Sequence, residues 1–275
     1  MMRVLQIALA GALAIGGASA AFAAEPTAKP ERQSWSFAGP FGKFDRAQLQ
    51  RGFQVYKDVC ATCHGLKYVA FRNLAQAGGP GFSEPQARVI ASDYQITDGP
   101  DDTGEMFQRP GRLSDYFPNP APNDQALRSR FGGALPPDLS IITKARSYES
   151  GLLIGLADFF RQYQEHGADY LVALLNGYEN PPADTKLGPG LAWNKYFPGH
   201  AIAMVNPLQD GQVAYSDGSP QTVAQYSRDV AAFLAWTAEP SLEHRKRIGF
   251  QVIIFLIVFA GLMYFTKKKV WSDAH

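Results

Sequence analysis

The chain has 275 residues, with 26 Lys and Arg set against 25 Asp and Glu for a formal net charge of +1. That balance gives no electrostatic reason to expect nucleic-acid binding or strong attraction to a membrane surface. About 250 residues would remain after N-terminal processing, enough for one large domain or two small ones.

Met1-Met2-Arg3 leads into a small, apolar run from Val4 to Ala18 that reaches Ala21-Phe22-Ala23. A positive start, a short apolar core and an A-x-A end describe a secretory signal peptide over residues 1–23, cleaved after Ala23. Residues 24–43, rich in proline, glycine and polar groups, read as an extended arm. Asp45 with Gln48 three on is a capping-box variant, and Leu49, Phe53, Tyr56 and Cys60 follow at helical spacing.

That helix delivers Cys60-Ala61-Thr62-Cys63-His64. Two cysteines two apart with histidine next are the pattern of a c-type haem attachment site. The cysteines bind the haem edge covalently and His64 ligates the iron, which leaves no thiol for a disulfide. A zinc site would want four Cys or His ligands. A redox dithiol is the rival, but it gives the adjacent His64 no role.

Gly65 to Leu74 is a second amphipathic stretch, ending at Gly78-Gly79-Pro80. Ser83 with Gln86 caps a helix running toward Tyr94. Residues 97–123 hold too many prolines, glycines and acids for long regular structure. Asp98, Asp101, Asp102 and Glu105 form an acidic group there, either a solvated loop or a docking surface for a basic partner. Asn123 caps a helix ending at Gly132-Gly133, and Leu135-Pro136-Pro137-Asp138-Leu139-Ser140 is expected to start another. Gly167–Tyr178 and Thr222–Ala238 carry helical stripes: Tyr170, Leu171, Leu174, Leu175 and Tyr178 in the first, Val223, Tyr226, Val230, Phe233 and Thr237 in the second.

Ile248 to Phe265 is almost wholly apolar. Eighteen helical residues span about 27 Å, close to the roughly 30 Å hydrocarbon core. Its twelve Leu, Ile, Val and Phe favour insertion by roughly 4 to 7 kcal/mol. A buried globular helix is the alternative. Basic clusters flank both ends, so lysine counting leaves orientation open. The signal peptide settles it, with residues 24–240 outside, a transmembrane helix at 248–265 and residues 266–275 in the cytoplasm.

A low-spin electron carrier needs a second axial ligand, commonly Met or His. Met263 lies in the membrane helix, and Met106 beside Phe107 is expected to pack. Met204, in a proline-bracketed loop from Tyr196 to Pro207, is the candidate, with His200 in the same loop as its rival. His166 and His244 are expected at the surface.

Several stretches together resemble the cytochrome c1 family of quinol–cytochrome c reductase (the bc1 complex). They are Phe53–Val59 leading into CATCH, Tyr68–Arg72, Arg109–Pro118, the GALPPDLS run, the YFPG loop reaching Met204, and the end with Ala238-Glu239-Pro240 and HRKR. The resemblance runs from about Trp35 to Trp271. It implies a mainly α, cytochrome c-like haem domain with long loops and one C-terminal transmembrane helix. It implies one heme c on Cys60 and Cys63 with His64 and Met204 axial, Arg146 pairing with a propionate, Tyr170 hydrogen-bonding nearby and Pro137 packing close. It also implies electron transfer from the Rieske iron–sulfur protein to a soluble cytochrome c, beside cytochrome b, in a dimeric complex of a bacterial inner membrane with the haem domain in the periplasm. An anchored cytochrome donating directly to an oxidase and a peroxidase-type haem enzyme are the alternatives. The segment from Ser147 to Glu165 departs from the family pattern as an insertion.

Overall fold

The computed structural model describes residues 28–148, 151–161 and 163–272; the leader at 1–23 lies outside the described residues. The chain is mainly helical, with α1 at Arg46–Asp58, α2 at Glu84–Ser92, α3 at Asp124–Arg130, α4 at Ile142–Ala145, α5 at Leu152–Arg161, α6 at His166–Asn176, α7 at Val223–Ala238 and α8 at Leu242–Val270. Short 3-10 turns cover Cys60–Thr62 and Phe71–Ala75. Two small antiparallel pairs complete it: β1 (Gln95–Asp98) with β2 (Phe107–Pro110), and β3 (Ala192–Trp193) with β4 (Ala201–Ile202).

The helix starts follow from their caps. Asp45 Oδ1 accepts from the N–H groups of Ala47 and Gln48, at 2.9 and 3.2 Å. Ser83 and Gln86 close a reciprocal capping box, and Asn123 and Thr222 each accept from the amide three residues on. Each cap satisfies donors that a helix leaves open at its first turn.

The core forms where α1 crosses α7. Glycine at 52 permits the close approach, since a Cβ there would lie 2.1 Å from the Asp229 carbonyl oxygen. Phe53 and Tyr56 meet Phe233 at centroid distances of 5.7 and 6.0 Å, and Phe117 joins both. The Asp229 carboxylate, fully buried, is paired by Arg51 Nε at 2.9 Å. Helix α6 runs antiparallel to α7. Asn176 Nδ2 donates to Ser227 Oγ at one end, and Gly167 and Ala235 line one cavity at the other.

Three expectations need correction. Leu135–Ser140 does not start a helix, because a residue preceding proline is pushed out of the helical region; α4 begins only at Ile142. Residues 97–123 hold only short regular structure, as expected: the β1–β2 hairpin that begins at Gln95 has four-residue strands and is held by Arg109, which pairs with both Asp98 and Asp115. Met106 does not pack but is 60% exposed at the end of that hairpin. His166 is mostly covered rather than superficial: its ring meets Tyr148 and Tyr163 edge-on and its Nε2 lies 3.2 Å from Asp158.

The arm, too, is a built part of the domain, for Trp35 and Phe37 enter the core. Its anchor is Asp169, a fully buried carboxylate that accepts from Trp35 Nε1 (2.8 Å), the Gln33 amide (3.0 Å) and Tyr163 Oη (2.6 Å). The apolar C-terminal helix extends beyond its expected limits at both ends. Its first turn is clamped to the arm, with Glu243 accepting from the Phe44 amide and Lys246 donating to the Phe37 carbonyl.

Candidate functional site

The C-x-x-C-H stretch leaves α1 as a tight turn in which the amides of Cys63 and His64 both donate to the Cys60 carbonyl, at 3.1 and 2.9 Å. Tyr56, buried one turn upstream, donates its hydroxyl to the His64 carbonyl at 3.1 Å. Both thiols are free. Burial pushes the Cys60 thiol up to about 12, the reverse of the depressed thiol that a working dithiol uses. Among the described residues there is no cluster of three or more His, Cys, Asp or Glu that suits a metal ion.

His64 is oriented by a distant segment. Its Nδ1 lies 2.7 Å from the Pro137 carbonyl oxygen. A carbonyl can only accept, so Nδ1 carries the proton and Nε2 presents its lone pair, the tautomer that suits metal ligation. Burial lowers the imidazole below its usual range, against the opposing pull of that carbonyl and of Asp138, and so favours the neutral ring.

Residues 137–140 are clipped alongside 64–68. The Leu139 amide donates to the Gly65 carbonyl, the Lys67 amide to Asp138 Oδ2 and the Tyr68 amide to Ser140 Oγ. Glycine at 65 leaves room for the Asn119 and Asp138 side chains, whose oxygens would lie 2.4 and 3.1 Å from a Cβ there. The extended Pro136-Pro137 run therefore serves the site by presenting a carbonyl.

Met204 lies just after β4, half-buried against the core. Tyr178, beyond the end of α6, donates its hydroxyl to the Met204 carbonyl at 3.0 Å. The fully buried Asn194 governs the loop before it. Its Nδ2 donates to the Leu174 carbonyl, its Oδ1 accepts from the amides of Tyr196 and Phe197, and its own amide donates to the His200 carbonyl. His200 is committed to this turn: φ is +60°, its ring stacks on Trp193 at 4.5 Å, and Nδ1 reaches the Asn194 carbonyl at 3.0 Å.

Arg146, directly after α4, is exposed and has no ion pair among the described residues. Tyr170 on α6 is buried, which raises its hydroxyl above the ordinary range, while the nearby Arg146 charge pulls the other way. These two residues thus share one neighbourhood. Sequence reasoning missed Asn194, Asp138 and Asp169. Asn194 had a faint signal, an Asn opening an aromatic and Pro-rich turn; the others act through contacts distant in sequence.

Residues 35–274 match the Cytochrome C1 family, a family of haem-binding proteins. The chain is 62% identical over 272 residues to "Cytochrome b/c1" of Bradyrhizobium diazoefficiens, covering 98% of this chain and 40% of that protein. It is 49% identical to cytochrome c1 of Blastochloris viridis, covering 94% and 93%. It is 43% identical to the mitochondrial "Cytochrome c1, heme protein" of Saccharomyces cerevisiae, covering 93% and 76%. The chain belongs to the cytochrome c1 family. Helix α8 has a mean hydropathy of 2.4 in its apolar window, none of which is buried against the domain. It fits a single-pass membrane protein.

Proposed function

We propose that the chain carries one heme c, attached at Cys60 and Cys63 and ligated by His64 and Met204. It serves as the electron-transfer subunit between a Rieske iron–sulfur protein and a soluble cytochrome c in a quinol–cytochrome c reductase. The observation that carries this reading is His64 itself: it follows C-x-x-C in a member of this family, and the Pro137 carbonyl fixes its tautomer with Nε2 open.

When bound, haem supplies a one-electron couple, with no bond made to a substrate. The chain's own residues do the rest. Pro137 and the 137–140 clip orient His64. Asn194 and Tyr178 hold the Met204 loop. Arg146 is free to meet a propionate, and Tyr170 lies within its field.

The name "Cytochrome b/c1" of the Bradyrhizobium relative supports cytochrome b as partner, and quinol oxidation belongs with that partner. The complex is a dimer, and residues 24–240 face the periplasm of a bacterial inner membrane, with 248–265 crossing it and 266–275 inside. In the acidic loop Asp98 is paired with Arg109, and Asp101 accepts from the amides of Thr103 and Glu105. Asp102 and Glu105 are left to face a basic partner.

The test is Met204→Leu in the full chain. The expected result is loss of the low-spin, thioether-ligated spectrum and a fall in midpoint potential of about 0.1 V or more, within the roughly 0.8 V that axial ligands span. An unchanged haem spectrum would sink the ligand assignment and move it to His200.

A further inference from the structure

The 147–165 insertion folds into α5, a ten-residue helix over Leu152–Arg161 that has no part in the site above. One side faces the domain: Asp158, 3% exposed, receives Arg32 at 2.6 Å and His166 at 3.2 Å. The other side is apolar and open. Leu156 is 55% exposed, Phe159 68% and Phe160 74%, at the i, i+3, i+4 spacing of a single face. Three large apolar groups facing outward on one short helix mark an interaction surface rather than scattered exposure.

The position of α5 identifies the occupant. His166, which holds Asp158, lines a cavity of about 370 Å³ together with Glu165, Phe37, Leu242, Arg245 and Lys246. That cavity therefore adjoins the first turn of α8, and the uninterrupted apolar run begins at Ile248, half a turn beyond Lys246. Phe41 of the arm, itself 68% exposed, meets Phe250 at 5.2 Å, so the domain's underside reaches the level of the apolar run. The exposed cations here, Arg161 on α5 and Arg247 on α8, suit anionic lipid headgroups.

We infer that α5 is an interfacial helix, lying against the outer surface of the bilayer with Leu156, Phe159 and Phe160 among the lipid. A short helix with phenylalanine and leucine on one face and its charges on the other has the pattern of such a segment. It gives the domain a second foot on the membrane, beside the anchor. The inference depends on the membrane anchor and is independent of the haem reading.

The test places the photo-crosslinking residue p-benzoylphenylalanine at position 160 of the full chain, in the membranes where it is made. Val205, 68% exposed beside Met204 at the opposite end of α6, is the reference position. A lipid adduct at 160 and none at 205 is expected. A crosslink from 160 to another protein chain, whether a second copy or a partner subunit, would overturn the inference. So would an absence of adducts, or lipid adducts at both positions alike. If the position-160 chain accumulates poorly, the same residue at Leu156 gives the same reading on the same face.

Discussion

At the scale of single residues, the site is built from backbone carbonyls and buried amides as much as from the C-x-x-C-H motif. Asn194 shows this, since one side chain satisfies a helix carbonyl and two loop amides at once. Asn194→Ala leaves those groups unpaired and is expected to cost about 1–3 kcal/mol. On the proposed ligation by Met204 its signature is specific: the haem spectrum should become heterogeneous, which a substitution elsewhere in the core would not produce. A homogeneous spectrum with lowered stability would assign Asn194 to packing alone. Asp217 makes a separate prediction about acid. The Ser219 amide and then the Arg51 guanidinium hold its carboxyl down to about 2. A depressed carboxylate adds stability above its ordinary value near 4 and loses it as pH falls through the folded value. Asp217→Asn is expected to flatten the acid limb of a pH-denaturation curve between about pH 4 and 2.

At the scale of elements, α1 and α7 were legible because period and caps agree: Phe53 and Tyr56 mark one face, Tyr226, Val230 and Phe233 the other, and these faces meet. Removing the shared ring is the direct test. Phe233→Ala is expected to destabilise the detergent-solubilised chain by about 3–5 kcal/mol, read as a shift in denaturant midpoint at constant slope. The segment that misled is one where a contact distant in sequence overrides local pattern. The proline run at 136–137 stays extended, and its carbonyl meets His64. No helical or strand period in a sequence window contains both of those partners. The C-x-x-C-H motif was legible from spacing, whereas the Pro137 carbonyl that orients His64 was not. The arm belongs to this class too: Asp169→Ala, which strips Trp35, Gln33 and Tyr163 of their acceptor, is expected to release it, seen as new protease cleavage between residues 28 and 44.

At the scale of the molecule, the arm and the start of the C-terminal helix are sewn together. The arm at Phe37 and Phe44 holds the first turn of α8, while Glu239, in the link between α7 and α8, takes Arg245 and Lys144. Ending the chain after Ser241 removes the first pair of contacts and Arg245. The shortened domain is expected to unfold at lower denaturant by about 1–3 kcal/mol, in line with the loss of a few such hydrogen bonds. Equal midpoints for the two chains would show that anchor and domain are energetically separate.

That clamp has a mechanical meaning. A domain on a slack linker would swing, and its height and tilt over the bilayer would be averages. Here the helix and the domain share their first turn, so they move as one lever, and a tilt of the membrane segment becomes a displacement at the far end of α6, where Met204 sits. With haem held at Met204 as proposed, its reach toward anything that docks on it is set by helix register and lipid thickness rather than by tether length.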